Sequence, residues 1–299
     1  MTAPRATRLT LPHLEVAALA WGPEDGRLAL CLHGFPDSAW GWGRLAPLLA
    51  DQGLRVVAPF MRGYAPTGPA ADGDYHIGAL MYDALAVYKH LGAPEDAILI
   101  GHDWGAFVSN AIAAHPESPF VKHISLAVPP VAAIARTRGP VGRQLQMLPR
   151  QVLNSWYIQF FQVPAIPERV LPRVIRRLWR EWGPPGYDTT AELEAALAAL
   201  PSLAHRHAAV GYYRDLIRPG HPLARYAELH SHRFELPRVP ILHMHGEQDG
   251  AMLAEYSKPI TPVLPPGSRV QFVPAAGHFL QIERPDVVAT AILDFVRPR

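Results

Sequence analysis

Cysteine is nearly missing from this chain: Cys31 stands alone among 299 residues, so no intrachain disulfide can form. Neither sign of charge prevails, because Lys+Arg 28 against Asp+Glu 26 leaves a net charge of +2. That balance excludes a general nucleic-acid binder, which needs a broad excess of positive charge. Long apolar runs are absent too. The stretch from Ile124 to Ala135 is about half of the ~20 residues that cross a bilayer and carries Pro129 and Pro130, so no stable membrane insertion is expected. Between Met1 and Ala17, Arg5, Arg8, His13 and Glu15 break up the apolar core a secretory signal would need, and a cytoplasmic protein is expected. What is present is ample apolar material, 49% of residues against 18% charged, which excludes disorder and suffices for one large domain or two small ones.

Short β-rich runs alternate with helical patterns along the first part of the chain. Arg27 to Leu32, Leu54 to Ala58, Ala97 to Ile100 and His123 to Val128 read as buried strands, each too short for a helix and bounded by Gly, Pro or charge. Between them, Gly78 to Leu91 and Trp104 to His115 carry the i, i+3, i+4, i+7 spacing of a helix face. This alternation is the form of an α/β protein with a mostly parallel central sheet covered by helices. From about Val131 the strands stop and Pro, Arg and aromatics rise. Strands resume at Val239 to His245 and Arg269 to Val273, and Pro285 to Val296 makes a closing helix. The expected organisation is a core from residues 1–130 and 235–299 with a helical cap at 131–234. The insert holds 14 Arg against 7 acidic residues, and the series Arg173, Arg176, Arg177, Arg180 reads as a solvated helix face.

The most informative stretch runs Ile98-Leu99-Ile100-Gly101-His102-Asp103-Trp104-Gly105, a strand entering a helix through Gly-x-Asp-x-Gly. It has the form of a nucleophile elbow, in which a tight turn presents one strained residue and needs glycines around it. Here that residue is Asp103. His33-Gly34-Phe35-Pro36 follows an earlier strand, where an oxyanion-hole loop belongs, and Asp37 or Ser38 opens the next helix, with Trp40 and Trp42 either lining a pocket or packing. Late in the chain, Gly246-Glu247-Gln248-Asp249 and Ala276-Gly277-His278-Phe279 each follow a strand. The pair His243 and His245 on one strand lacks a third ligand at a recognisable spacing, so no metal is expected.

On these residues the chain resembles the α/β-hydrolase superfamily over nearly its whole length, and within it the epoxide hydrolases and haloalkane dehalogenases, which carry Asp at the elbow. The resemblance implies Asp103 as nucleophile, Asp249 as acid in preference to Glu247, and His278 as base, with the backbone N–H groups of Phe35 and Trp104 forming the oxyanion hole. A carboxylate suits attack on an sp3 carbon, because it leaves an ester that His278-activated water can cleave, whereas Ser would leave an ether. Epoxide opening produces an alkoxide that wants a proton; a departing halide wants only N–H donors. Tyr157-Ile158-Gln159-Phe160-Phe161-Gln162-Val163-Pro164 and Gly211-Tyr212-Tyr213-Arg214 resemble the family's two cap tyrosine segments, which makes Tyr157 and Tyr213 the donors and Tyr212 a neighbour. Substrate contact is expected from Trp104, Phe35, Trp156 and Tyr212. One segment departs from the family: relatives commonly have Asp where Phe60 stands and Gly where Ala65 stands.

The expected reaction is hydrolysis of a small apolar epoxide to a vicinal diol, with water as the only cosubstrate, no cofactor and no nucleic-acid partner. A haloalkane or haloacid dehalogenase is the alternative enzyme, and a small-molecule binder without turnover is the alternative outside enzymes. A homodimer is left open.

Overall fold

A computed structural model describes residues 3–137, 139, 141–218 and 220–297. Its centre is one eight-stranded sheet, built from β1 (Arg5–Thr10), β2 (Glu15–Trp21), β3 (Arg27–Leu32), β4 (Leu54–Pro59), β5 (Ile98–His102), β6 (Lys122–Leu126), β7 (Ile241–Gly246) and β8 (Arg269–Val273). The order across the sheet is β1-β2-β4-β3-β5-β6-β7-β8. From β4 onward all pairings are parallel, and Ile100 in β5 is flanked by Cys31 of β3 and Ile124 of β6. Central strands read as uninterrupted apolar runs because both faces are covered, and β5 is buried at every position.

Six of the strands fall where the sequence places them, within two residues. The hairpin β1–β2 is an addition, pairing antiparallel with itself and with β4. Its composition hides it. At the sheet edge, β1 carries Arg5 and Arg8 and is mostly exposed, and β2 is Ala-rich, so neither shows the β-branched run that marks a strand.

The helices α1 (Leu45–Ala50), α2 (Ile77–His90), α3 (Trp104–Ala114) and, at the chain's end, α12 (Pro285–Val296) cover the sheet, α1 packing on α12 and α2 on α3. Ile77, Leu80, Met81, Ala84, Val87 and Tyr88 form the buried face of α2, while Leu85 and Leu91 lie at its margin. Between residues 131 and 234 the described residues hold no strand. They form α4 (Val131–Arg136), α5 (Val141–Asn154), α6 (Trp156–Phe160), α7 (Ile166–Trp182), α8 (Thr190–Ala198), α9 (Leu203–Ile217) and α10 (Ala224–Ser231). A short α11 (Leu280–Glu283) follows β8.

In α7 the two faces are sharply divided. Leu171, Val174, Ile175, Leu178, Trp179 and Trp182 are buried, while Arg173, Arg176, Arg177 and Arg180 are exposed as a solvated face, with Arg176 paired to Glu194 and Arg177 to Glu181. The buried face lands on the loops after β3 and β8. Trp179 donates its indole N–H to the Pro36 carbonyl at 2.7 Å and stacks on Phe279 with centroids 4.1 Å apart. Each indole buried there removes about 150–250 Å² from water, worth on the order of 4–6 kcal/mol before entropy is charged. The insert is thereby seated directly above the carboxyl ends of the strands. No described helix is long and apolar enough to cross a membrane.

Candidate active site

Only Asp103 stands between the end of β5 and the start of α3, with φ 51° and ψ −113°, a conformation costly for any residue with a Cβ. Its N–H donates to the Leu126 carbonyl at 3.2 Å, and its own carbonyl accepts from Phe107 N–H at 2.9 Å, so both sides of the strained peptide are held. The flanking glycines are steric necessities. A Cβ on Gly101 would lie 2.1 Å from the Gly105 oxygen, and one on Gly105 would lie 2.0 Å from the Leu32 oxygen. That explains why the turn reads Gly-x-Asp-x-Gly. The Asp103 side chain is buried at the sheet's carboxyl edge, and its Oδ1 accepts from the Phe35 backbone N–H at 2.7 Å.

The other carboxylate oxygen, Oδ2, lies 3.4 Å from Nε2 of His278. His278 Nδ1 faces Asp249, 3.0 Å from Oδ2 and 3.2 Å from Oδ1. Asp249 Oδ1 also accepts from the N–H groups of Ala251 and Met252 at 2.7 and 3.0 Å. Glu247, two residues earlier, is exposed, so Asp249 is the acid that meets the imidazole. Burial alone would raise the Asp249 pKa, but the positive partner His278 and the contact with His245 hold it well below the usual carboxylate range. Burial opposes the charge on His278, yet Asp249 and Asp103 together push its pKa up to about 10. Asp249 thus rests as a carboxylate and His278 as an imidazolium.

The insert closes the site from above with rings. Tyr157 from α6 and Tyr213 from α9 stand edge to face with centroids 5.5 Å apart, and Tyr213 packs on Phe35 at 5.3 Å and on Trp104 at 5.1 Å. Tyr157 also meets Trp182 at 5.1 Å. Burial and the negative Asp103 raise both phenol pKa values, so both keep their protons. The Tyr213 hydroxyl has no hydrogen-bond partner among the described residues. Its neighbour Tyr212 differs: that hydroxyl donates to the Arg62 carbonyl at 2.7 Å, and the ring packs against Tyr64, Tyr75 and Trp104. Trp156 is half-buried on the outer flank of Tyr157, with the Arg177 guanidinium 4.4 Å over its ring.

Several groups at the site carry no signal in the sequence. The Trp182 carbonyl accepts from His278 N–H at 2.9 Å, and its ring stands 4.8 Å from the imidazole, so the last residue of α7 positions the base. Glu283 is buried with its carboxylate on Gly277 N–H, and burial raises its pKa to about 7. Asp37 does not cap the next turn. Ser38 does, through Trp40 N–H, while Asp37 is buried against Ser38 N–H and Gln281 with its pKa raised by burial to about 7. Trp42 packs in the core, and Trp40 is 43% exposed. Two sets of side chains come close enough to share an ion, Asp74 with His76 and Asp215, and His115 with Glu228 and His232, but both lie away from Asp103 and are knit by their own hydrogen bonds.

A family profile described as alpha/beta hydrolase fold matches residues 30–285. The chain is 32% identical to the AB hydrolase superfamily protein YfhM of Bacillus subtilis, over 95% of this chain and 94% of that one. It is 28% identical to Epoxide hydrolase A of Mycobacterium tuberculosis, over 99% and 98% of the two chains. The crystal structure of Epoxide Hydrolase A from Mycobacterium thermoresistibile superposes with a TM-score of 0.75 at 25% identity, covering 98% of each chain. The elbow, the sheet order and these likenesses agree, and the chain belongs to the α/β-hydrolase family, a hydrolase standing among relatives named epoxide hydrolases.

Proposed function

We propose that this hydrolase opens small apolar epoxides to vicinal diols, with residues 1–130 and 235–299 as its catalytic core and 131–234 as its cap. The observation that carries the reading is the pairing of two kinds of group across one small space. A carboxylate held by an N–H lies below, and two buried phenols, one with a hydroxyl that has no hydrogen-bond partner among the described residues, lie above. The names of the relatives support the same substrate class.

In this mechanism a carboxylate oxygen of Asp103 attacks an epoxide carbon, the carbon–oxygen bond of the ring breaks, and the departing alkoxide takes a proton from Tyr157 or Tyr213. Alkylation turns Asp103 into a neutral ester. His278 then loses one of the two negative charges that hold its proton, so the imidazolium returns a proton to the tyrosinate and becomes a base. It takes a proton from water attacking Cγ of Asp103, with Asp249 stabilising the new imidazolium. The tetrahedral oxyanion is stabilised by Phe35 N–H and by Trp104 N–H, which lies in the first turn of α3 without an intrahelical acceptor. Collapse expels the diol oxygen, which takes the proton carried by His278, and the acid left on Asp103 then returns its proton to the imidazole, restoring the carboxylate and the imidazolium.

The test incubates purified protein with an aryl epoxide and, separately, a bromoalkane, following diol and bromide, with Tyr157→Phe and Tyr213→Phe beside the wild type. Diol is expected, slowed on the order of ten- to a hundredfold in each single variant. Bromide without diol, indifferent to both tyrosines, would assign the site to dehalogenation. Absence of both products and of any covalent adduct on Asp103 would leave a binding protein.

A further inference from the structure

The strand β7 ends in two histidines, His243 and His245, that the mechanism above does not use. Both are fully buried, as is Ser257 between them. The Ser257 hydroxyl lies 2.8 Å from His245 Nδ1 and 2.8 Å from His243 Nε2, while His243 Nδ1 lies 3.1 Å from the Ser125 carbonyl. On its other side, His245 Nε2 faces the Met252 carbonyl at 3.0 Å and Asp249 Oδ2 at 3.3 Å. Both neighbours are acceptors, so Nε2 carries a proton; it is hydrogen-bonded to the Met252 carbonyl, with Asp249 Oδ2 beside it in ion-pair range. The Asp249 carboxylate is held on Oδ1 by the N–H groups of Ala251 and Met252, while its Oδ2 lies 3.0 Å from His278 Nδ1 and 3.3 Å from His245 Nε2. The far nitrogen of the His245 ring meets the Ser257 hydroxyl, which packs between the two imidazoles.

We infer that His245 is a positioning residue for the hydrolytic half of the reaction: with Ser257 and His243 behind it, it fixes Asp249 Oδ2 so that this oxygen holds the His278 ring in line. The inference rests on the reading of Asp249 as the acid behind His278. Alkylation of Asp103 needs no proton transfer to His278, whereas ester hydrolysis does, so the two steps should respond differently. The charged and titratable groups around this cluster are His278, Asp103, His102 and Glu283, all unaltered by the substitutions below.

The test compares His245→Leu, His245→Gln and Ser257→Ala in rapid-quench experiments with an aryl epoxide, following ester formation on Asp103 by intact mass and its decay to diol. His245→Leu is expected to slow ester decay on the order of ten- to a hundredfold, with alkylation within about twofold, so that ester accumulates. His245→Gln, which keeps an N–H donor, should recover most of that loss, and Ser257→Ala should show a smaller slowing of the same step. Equal losses in both steps, unchanged ester decay, or a Gln variant as slow as Leu would overturn the inference. A substrate-free measurement separates its failure from that of the epoxide reading. The downfield proton resonance of the His278 Nδ1–H bond to Asp249 should persist in the wild type and in His245→Gln and shift or vanish in His245→Leu. An unmoved resonance in the Leu variant would overturn the inference even if no epoxide is turned over.

Discussion

On the sheet side of the site the carboxylates are anchored to main-chain N–H groups, Asp103 to Phe35 and Asp249 to Ala251 and Met252, and the His278 imidazole lies between them. On the side of residues 131–234 stand neutral phenols set in an aromatic wall, and Tyr213 keeps its hydroxyl free of partners among the described residues. The difference follows from what each side must meet. Buried charges are tolerated only when paired and hydrogen-bonded, so the lower wall is rigidly organised. A donor that serves a transient alkoxide must have no permanent acceptor, and the upper wall is correspondingly unsatisfied.

The contrast breaks first at Asp103. Asp103→Ala should lower diol formation by about 10⁴-fold or more and abolish the covalent adduct while circular dichroism remains native. Residual activity above about a hundredth of wild type would mean that the lower wall does not hold the nucleophile.

Adjacent tyrosines sharpen it next. Tyr213→Phe should cost on the order of ten- to a hundredfold in turnover with little change in urea stability, because it deletes a hydroxyl without a hydrogen-bond partner among the described residues. Tyr212→Phe should do the reverse. Loss of its bond to the Arg62 carbonyl should cost about 1 kcal/mol of stability, with turnover within about threefold. Urea unfolding and steady-state kinetics of the two variants check the pair, and equal kinetic losses would erase the distinction.

The smallest effect is on pH dependence. His278 is raised in the folded state to about 10, so its contribution to stability is complete below its unfolded value of about 6.5 and is lost as pH rises through about 10. Asp249 is lowered, so its contribution is present above about 3.9 and is lost as pH falls toward its folded value. Scanning calorimetry should find that the fall in Tm between pH 7 and 10 is smaller by a few degrees in Asp249→Asn than in the wild type. An identical fall in both would show that the two residues are not coupled.

The same division decided what was legible in the sequence. Asp103 stood out because its backbone conformation forces Gly101 and Gly105 beside it, and a steric requirement of that kind is written at fixed positions. The parallel strands were readable because burial on both faces removes polar residues from them. The hairpin β1–β2 was not, since an edge strand with arginines and an Ala-rich partner satisfy no simple pattern. Tyr157 and Tyr213 could be singled out only through likeness to family segments, because nothing local sets their phenols apart from those of the other buried tyrosines. Trp182, Glu283 and Asp37 were beyond reach. Their places depend on contacts across long stretches of chain, such as Trp182 O with His278 N–H and Asp37 with Gln281.

The sheet order also has a consequence for the protein during its synthesis. Strand β6 pairs with β7 only after residues 131–234 have been made, through the register His123 with Ile241. At ribosomal rates of about 5–20 residues per second, Asp103 therefore waits roughly 9–35 s for His278 to emerge. Until β7 is made, the growing chain presents the unpaired edge of β6, the kind of open edge that invites pairing with another chain. A nascent chain halted near residue 240 would hold Asp103, Tyr157 and Tyr213 and six of the sheet's eight strands but neither Asp249 nor His278, and chaperone occupancy on the ribosome should peak there.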